Sequence, residues 1–412
     1  MKTIDLLKER FTSSRNLTVK MIESLEPEDL VVQSMEDVSP IKWHLAHTTW
    51  FYDVMVLKIH EDNYSAYNES YHMLFNSYYK TQGEHWLRCR RGILSRPTNT
   101  EIIKYRQNID ERIMNLISIK GEEVQTLIEI GINHEQQHQE LVLMDTKHIL
   151  GTNPLFPAWH SGDFPKSKRV EAKFISVAGG VKEIGQNYGE EFIFDNESPR
   201  HKEYIEDFYL SNKLITNGEY LEFIRSKEYN DPCLWLSDGW EQREKAPLYW
   251  IKDGVDSYQL STPYGLRDLD LDAPVSHVNY YEADAFATWK GCRLPTEKEW
   301  EIAASELDIN GQFYNFGELT PIAGNIAGEF NDMFGVLWQW TSSHYEVYPG
   351  YKRLSGPLAE YNAKFANAQR VLRGGSFGTL KEHYRISYRN FFQAEKSWAF
   401  TGIRLAKDRD EL

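Results

Sequence analysis

EEVQTLIEIGINHEQQHQELVLMDTKHILG, residues 122–151, is the stretch from which the first half of the chain is read. Its apolar residues recur at helical spacing, which predicts one long helix from about Glu122 to His148 with Gly151 as C-cap. On that helix His134 and His138 stand at i and i+4 and project from one face. Leu127, Gly131, Leu141 and Asp145 share the face, so it looks inward. A single histidine there would be an ordinary core residue. Two imidazoles on an inward stripe need partners, because burying an unpaired polar ring costs free energy. A metal ion supplies one.

Three more helices are expected upstream. Ile4, Leu6, Leu7, Phe11 and Leu17 form an approximate helical stripe. Ser39-Pro40 reads as N-cap and N1 of a second helix through Trp43, His47, Trp50 and Val54. A third begins near Thr98-Asn99-Thr100-Glu101 and carries Ile102, Ile103, Ile109, Ile113, Leu116 and Ile117. Four helices of similar length imply a four-helix bundle. The connection from Asp62 to Pro97 is long enough to be functional in its own right. His47, central in the second helix, can complete a three-histidine face, with His44 close by as a rival.

The letters His134-Glu135-Gln136-Gln137-His138 also match HExxH, the zinc-hydrolase helix, in which Glu135 would be the general base. The extended form of that motif wants Gly at 141 and His at 144. The chain has Leu141 and Met144. No downstream glutamate ligand is evident either, because the chain enters a Pro-, Gly- and charge-rich stretch. That stretch, TNPLFPAWHSGDFPKSKRV, is read as a linker, giving units 1–151 and 171–412 joined by 152–170. Beyond it, short strand-like runs (KFISVAG, FYLSN, RVLRGGSF, GIRLAK) alternate with turns. Two helix signals stand out, TEKEWEIAAS and Asn279 to Trp289. The second half is therefore α+β with low regular content.

Composition narrows the function. The 412 residues carry a net charge of −15, which argues against nucleic acid as a partner. Three scattered cysteines make neither a disulfide framework nor a thiolate zinc site. No apolar run is long enough to span a bilayer, and the N-terminus has no signal-peptide pattern, so a cytoplasmic protein without a membrane partner is expected. The 12 Trp and 24 Tyr concentrate in the second half and suit a loop-rich fold, with a pocket for a cation among the options.

The second half carries recognisable phrases. Cys292-Arg293-Leu294-Pro295-Thr296-Glu297 with Glu299-Trp300-Glu301, then GVLWQWTSS at Gly335 to Ser343, then Arg373-Gly374-Gly375-Ser376-Phe377, resemble the signatures of the formylglycine-generating-enzyme (sulfatase-modifying-factor) family. The resemblance implies a C-type-lectin-like core. It does not imply formylglycine generation, which uses a late cysteine pair, and no cysteine follows Cys292. The first half resembles DinB-like bundles with three-histidine metal sites. SPIKWHLAHTTWF, FNSYY, RCRRGILSRP, NHEQQHQEL and YRNFF together resemble the ergothioneine-pathway sulfoxide synthases, and among these the shorter bacterial branch.

That resemblance implies an iron(II) enzyme that uses O2 to join a cysteine-type thiol to C2 of the imidazole of hercynine, with oxidation of the sulfur. It implies His47, His134 and His138 as ligands and Tyr78 and Tyr79 as the catalytic tyrosine pair. Arg88 and Arg91 are implied as carboxylate binders, with Arg90 between them. Gln137, Asn390, Phe391 and Phe392 are implied as the hercynine site, since a trimethylammonium has no N–H and needs aromatic faces and oxygen dipoles. The alternatives are a DinB-like metal-dependent thiol transferase, an HExxH zinc hydrolase and a non-catalytic small-molecule binder.

Overall fold

A computed structural model describes residues 3–189, 191–255, 257–324, 328–353 and 361–409. These divide into two compact units, one running through Trp159 and the other beginning at His160.

The first unit is helical. Helix α1 spans Thr3–Met21 and α2 spans Ile41–Trp50. The chain then continues through a π-helical stretch, Phe51–Leu57, in which every residue is buried. A short helix α3 (Glu69–Leu74) precedes the two long helices α4 (Asn99–Ile119) and α5 (Glu122–Gly151). The α4 start follows the sequence signal: the Thr98 side chain accepts from the Glu101 N–H, and the Glu101 side chain bonds back to Thr98. Ile102, Ile109, Ile113, Leu116 and Ile117 line its inner face. Burying each contributes about 1.5–3 kcal/mol.

Three expectations are corrected here. The α2 helix begins at Ile41 with Pro40 as N-cap, one residue later than expected. Ser39 is unavailable as a cap because its N–H donates to Asp145 (2.8 Å) and its hydroxyl accepts from Arg91 (2.9 Å). Helix α5 runs through Gly151 and ends on Thr152, whose hydroxyl bonds the His148 carbonyl at 2.6 Å, so no left-handed glycine is needed. Finally, the inner stripe of α1 is not wholly apolar. Leu7, Phe11 and Met21 are buried, but so are Arg15 and Thr18, and Leu6 is exposed. Arg15 and Thr18 turn inward to meet a carboxylate on α5 (below).

The second unit holds twelve short strands among the described residues. Strands β1 (Phe174–Val177), β4 (Phe208–Ser211) and β12 (Ala406–Asp408) form one sheet in the order β1-β4-β12. The hairpin pair is β2 (Gly180–Ile184) and β3 (His201–Ile205). Strands β5 (Trp250–Lys252), β6 (Tyr258–Thr262) and β7 (Gly265–Asp268) make an antiparallel meander. The sheet β10-β9-β8-β11 comprises β8 (Trp338–His344), β9 (Gln369–Arg373), β10 (Asn390–Gln393) and β11 (Thr401–Gly402).

Of the helices α6 (Asn217–Arg225), α7 (Ser237–Gln242), α8 (Tyr280–Trp289) and α9 (Glu297–Ala304), α9 packs on β2, β8 and β9, and α6 and α7 pack on α8. The α8 and α9 helices are the two expected from sequence. The α6 helix was not expected, although Thr216 and Glu219 carry the same capping-box spacing as Thr98 and Glu101.

The core of this unit is pinned by buried arginines. The Arg404 guanidinium donates to Gln339 Oε1 and to the carbonyls of Ser211, Asn331 and Asp332. Gln339 Oε1 also accepts from Trp300 Nε1 at 2.8 Å. Arg389 makes a two-pronged pair with Glu297 at 2.8 and 2.9 Å. Each nitrogen of both guanidiniums has at least one acceptor in these networks. The paired glycines after β9 serve the same core. Gly374 has φ +107° and a side chain there would meet Gln339 Nε2 at 2.6 Å.

A three-histidine candidate metal centre

His47 comes from the last turns of α2, and His134 and His138 from adjacent turns of α5. One ring nitrogen from each lies within 4.8 Å of the others. His47 and His134 are 1% and 4% exposed, and the ring centroids stand 4.6–5.0 Å apart. Among the described residues this is the one His, Cys, Asp or Glu group with metal-ligand geometry.

The rings are held so that particular nitrogens face inward. His47 Nδ1 donates to the Phe75 carbonyl at 2.6 Å, which turns Nε2 toward the other two rings. Its ring is sandwiched between Trp43 (centroids 4.6 Å apart, 11° between planes) and Trp50 (5.6 Å, 15°). Trp43, His47 and Trp50 follow i, i+4, i+7 spacing, so a single helix face builds the stack. His138 Nδ1 lies 2.9 Å from His44 Nδ1.

Burial, followed by the neighbouring imidazoles, pulls the His47 and His138 rings well below the ordinary histidine range. Burial takes His134 down to about 4, against the opposing pull of Glu135. All three rings are neutral near pH 7, so each keeps one ring nitrogen with a lone pair. Three neutral imidazoles suit iron, zinc or copper.

Glu135, between the two α5 histidines, points away from this face. It is fully buried and accepts from Arg15 Nη1 (2.8 Å), from the Thr18 hydroxyl (2.5 Å) and from Arg106 Nη2. Burial alone would raise its carboxyl, but Arg106, Arg15 and Thr18 outweigh burial and hold it at about 2. A carboxylate committed to two guanidiniums and a hydroxyl is a structural anchor and not a general base. The HExxH reading loses its base as well as its downstream ligand.

The tyrosines expected to act stand on the loop after α3. Tyr79 is fully buried and its backbone is clamped by Asn76, whose side chain accepts from the Tyr79 N–H and donates to the Tyr79 carbonyl, both at 3.0 Å. Its ring lies 5.5 Å from Trp50 and stacks on Tyr78 at 4.5 Å, with the phenol oxygens 3.4 Å apart. The path His47–Trp50–Tyr79–Tyr78 is thus continuous ring contact.

The arginines separate. Arg91 is 4% exposed, its guanidinium 3.3 Å over the Trp43 ring, and its Nε makes no hydrogen bond among the described residues. Arg88 is exposed and bonds the Asp37 carbonyl. Arg90 is exposed beside Trp86. Gln33 fixes this turn by accepting from the Gly92 N–H at 2.7 Å and donating to the Arg88 carbonyl at 2.8 Å.

Gln137 is half-buried on α5, one residue before His138. Asn390, Phe391 and Phe392 form the edge strand β10 of the second unit. Phe391 stacks on Tyr345 at 4.0 Å, Phe392 packs against Trp398 at 5.3 Å, and Asn390 Oδ1 accepts from the Phe391 N–H.

The sequence gives no role to Trp43 and Trp50 as the walls of His47, and it offers His44 only as a rival ligand, whereas His44 lies outside the three-histidine group and contacts His138 and Asp145. The i, i+4, i+7 spacing of Trp43, His47 and Trp50 was the available signal.

Residues 10–142 match the model of the DinB superfamily, and residues 160–330 and 317–409 match that of the sulfatase-modifying factor enzyme 1-like domain. The hercynine oxygenase of Mycolicibacterium smegmatis is 32% identical over 315 residues, covering 67% of this chain and 70% of its own. That of Mycolicibacterium thermoresistibile is 27% identical over 444 residues, covering 98% and 95%. The formylglycine-generating enzyme of Streptomyces coelicolor is 27% identical over 299 residues, covering 60% of this chain and 91% of its own. A helical unit with a three-histidine face, followed by an α+β unit that matches the sulfatase-modifying-factor model, and the similarity to the hercynine oxygenases place the chain in the hercynine oxygenase family of oxidoreductases.

Proposed function

We propose that this protein is an iron(II)- and O2-dependent sulfoxide synthase that joins a cysteine-type thiol to C2 of the hercynine imidazole. The C2–H and S–H bonds give way to C–S and S–O bonds, and the second oxygen atom of O2 leaves as water. The observation that carries the reading is the neutral three-histidine face, with His47 and His134 buried and His138 half-buried, in a chain of the hercynine oxygenase family.

His47, His134 and His138 would hold iron(II) through three neutral nitrogens, and the metal would supply the activation of O2. The chain's own groups do the rest. Tyr79 and Tyr78, joined through their phenol oxygens, hold a proton at the end of the ring stack that starts on His47, and can pass it to the reacting oxygen. Arg91 brings a guanidinium with a free Nε–H beside Trp43, and Arg88 offers a second fork for the carboxylate of the thiol substrate. Gln137 is assigned to the hercynine side of the triad. Asn390, Phe391 and Phe392 are assigned to the trimethylammonium, for which aromatic faces are the appropriate partner. The thiol donor is assigned as free cysteine. The net charge of −15 disfavours a nucleic-acid substrate.

The test is anaerobic loading with iron(II), then O2 with hercynine and either cysteine, γ-glutamylcysteine or a selenium donor, read by mass spectrometry. One O2 consumed per sulfoxide formed, with cysteine preferred, is expected. No oxygen uptake with any donor refutes the proposal.

A further inference from the structure

We propose that Asp145 and His44 are positioning residues that fix His138 in the tautomer able to bind a metal. His44 stands on α2 one turn before His47 and is 3% exposed, and Asp145 stands on α5 seven residues after His138 and is 2% exposed. Neither belongs to the three-histidine group. Together they form a line of contacts: Asp145 Oδ2 to His44 Nε2 at 2.9 Å, then His44 Nδ1 to His138 Nδ1 at 2.9 Å.

The chemistry of that line has one consistent proton order for a neutral His44. Asp145 Oδ2 also accepts the Ser39 N–H at 2.8 Å, so it is the acceptor toward His44 as well. His44 therefore carries its hydrogen on Nε2, and its Nδ1 is bare. Two ring nitrogens 2.9 Å apart share a single proton, and that proton must sit on His138 Nδ1. His138 Nε2 is left with its lone pair. The opposite order, His44 Nδ1–H donating to His138, would put the His138 hydrogen on Nε2 and close it to any metal. Ligating histidines need such a partner on the other nitrogen, and its loss typically weakens metal binding 10–100-fold. His47 takes its partner from a backbone carbonyl, Phe75. His138 takes its partner from a side-chain relay, so its tautomer is open to substitution.

The inference rests on His138 being a metal ligand, and the experiments separate the two ideas. Long-range proton–nitrogen NMR of the metal-free wild-type protein reads ring tautomers directly and needs no variant. Hydrogen on Nε2 of His44 and on Nδ1 of His138 is expected. Hydrogen on Nε2 of His138, in a protein that binds cobalt(II), overturns this proposal and leaves the metal reading standing. A wild-type protein that binds no cobalt(II) overturns both.

Anaerobic cobalt(II) titration then compares His44→Phe with His44→Gln. Phe keeps a ring of similar volume but accepts no hydrogen bond, and affinity falls about 10–100-fold with an altered cobalt absorption spectrum. Gln carries an oxygen that accepts from His138 Nδ1–H and recovers most of the affinity. A packing role predicts the reverse order. Equal losses in both variants, or none in His44→Phe, overturn the proposal.

Discussion

Glu135→Gln separates a structural anchor from a general base. In the folded protein one carboxylate oxygen takes Arg15 Nη1 and the other takes the Thr18 hydroxyl and Arg106 Nη2. A glutamine amide keeps one oxygen and turns an NH2 toward at least one of these donors. Arg15 retains Asp110 at 2.6 Å, but Arg106 loses its only carboxylate among the described ion pairs. The carboxyl is held at about 2 against an ordinary 4.5, which corresponds to ~3 kcal/mol at about 1.4 kcal/mol per pH unit. Breaking one side of a buried pair costs about 3–5 kcal/mol, in agreement.

For a unit of this size ~3 kcal/mol is a loss of roughly 6–12 °C in melting temperature. The sign with pH follows from a depressed carboxyl. The stabilisation is fully present above about 4.5 and is lost as pH falls toward about 2. Scanning calorimetry of the helical transition should therefore show a constant gap between wild type and variant from pH 8 to 5, narrowing below pH 4.5. A variant that melts within about 1 °C of wild type at pH 7 refutes the anchor.

Other outcomes follow from the same reasoning. Glu282 on α8 is buried, and its carboxyl is pushed up to about 8 by burial. The second unit should lose stability as pH rises from about 4.5 to about 8, by roughly 1.4 kcal/mol per unit at most. Glu282→Gln, which can still accept from the Asn279 N–H, should flatten that slope in urea titrations followed by Trp fluorescence, and parallel slopes contradict it. Tyr79→Phe or Tyr78→Phe should divert turnover from sulfoxide to simple thiol oxidation in product analysis, and unchanged product from both removes the pair from the mechanism.

Much of the helical unit was legible because its signals are local. The Thr98–Glu101 box starts α4 where the letters place it, and the His134–His138 spacing puts both rings on one face before any contact is known. The misses came where a distant group outcompetes a local one. Ser39 is a good N-cap by type, but Asp145 and Arg91 claim both its polar groups. Arg15 and Thr18 break the apolar stripe of α1 because Glu135 waits across the interface. In the second unit the signature phrases identified the fold. Their physical roles, such as the Arg404–Gln339–Trp300 network, depend on residues far apart in sequence and are visible only in three dimensions. His44 illustrates the same limit. Its neighbourhood to His47 was plain in the sequence, but its place between Asp145 and His138 depends on how α2 and α5 pack.

The central claim is that His47, His134 and His138 hold one metal ion. Anaerobic iron(II) titration of wild type and His138→Ala, with bound metal measured after desalting and the second unit's fold checked by near-ultraviolet circular dichroism, tests it most directly. The account predicts one iron per wild-type chain and loss of bound iron in a variant whose second unit remains folded. Stoichiometric iron retained by His138→Ala would contradict it.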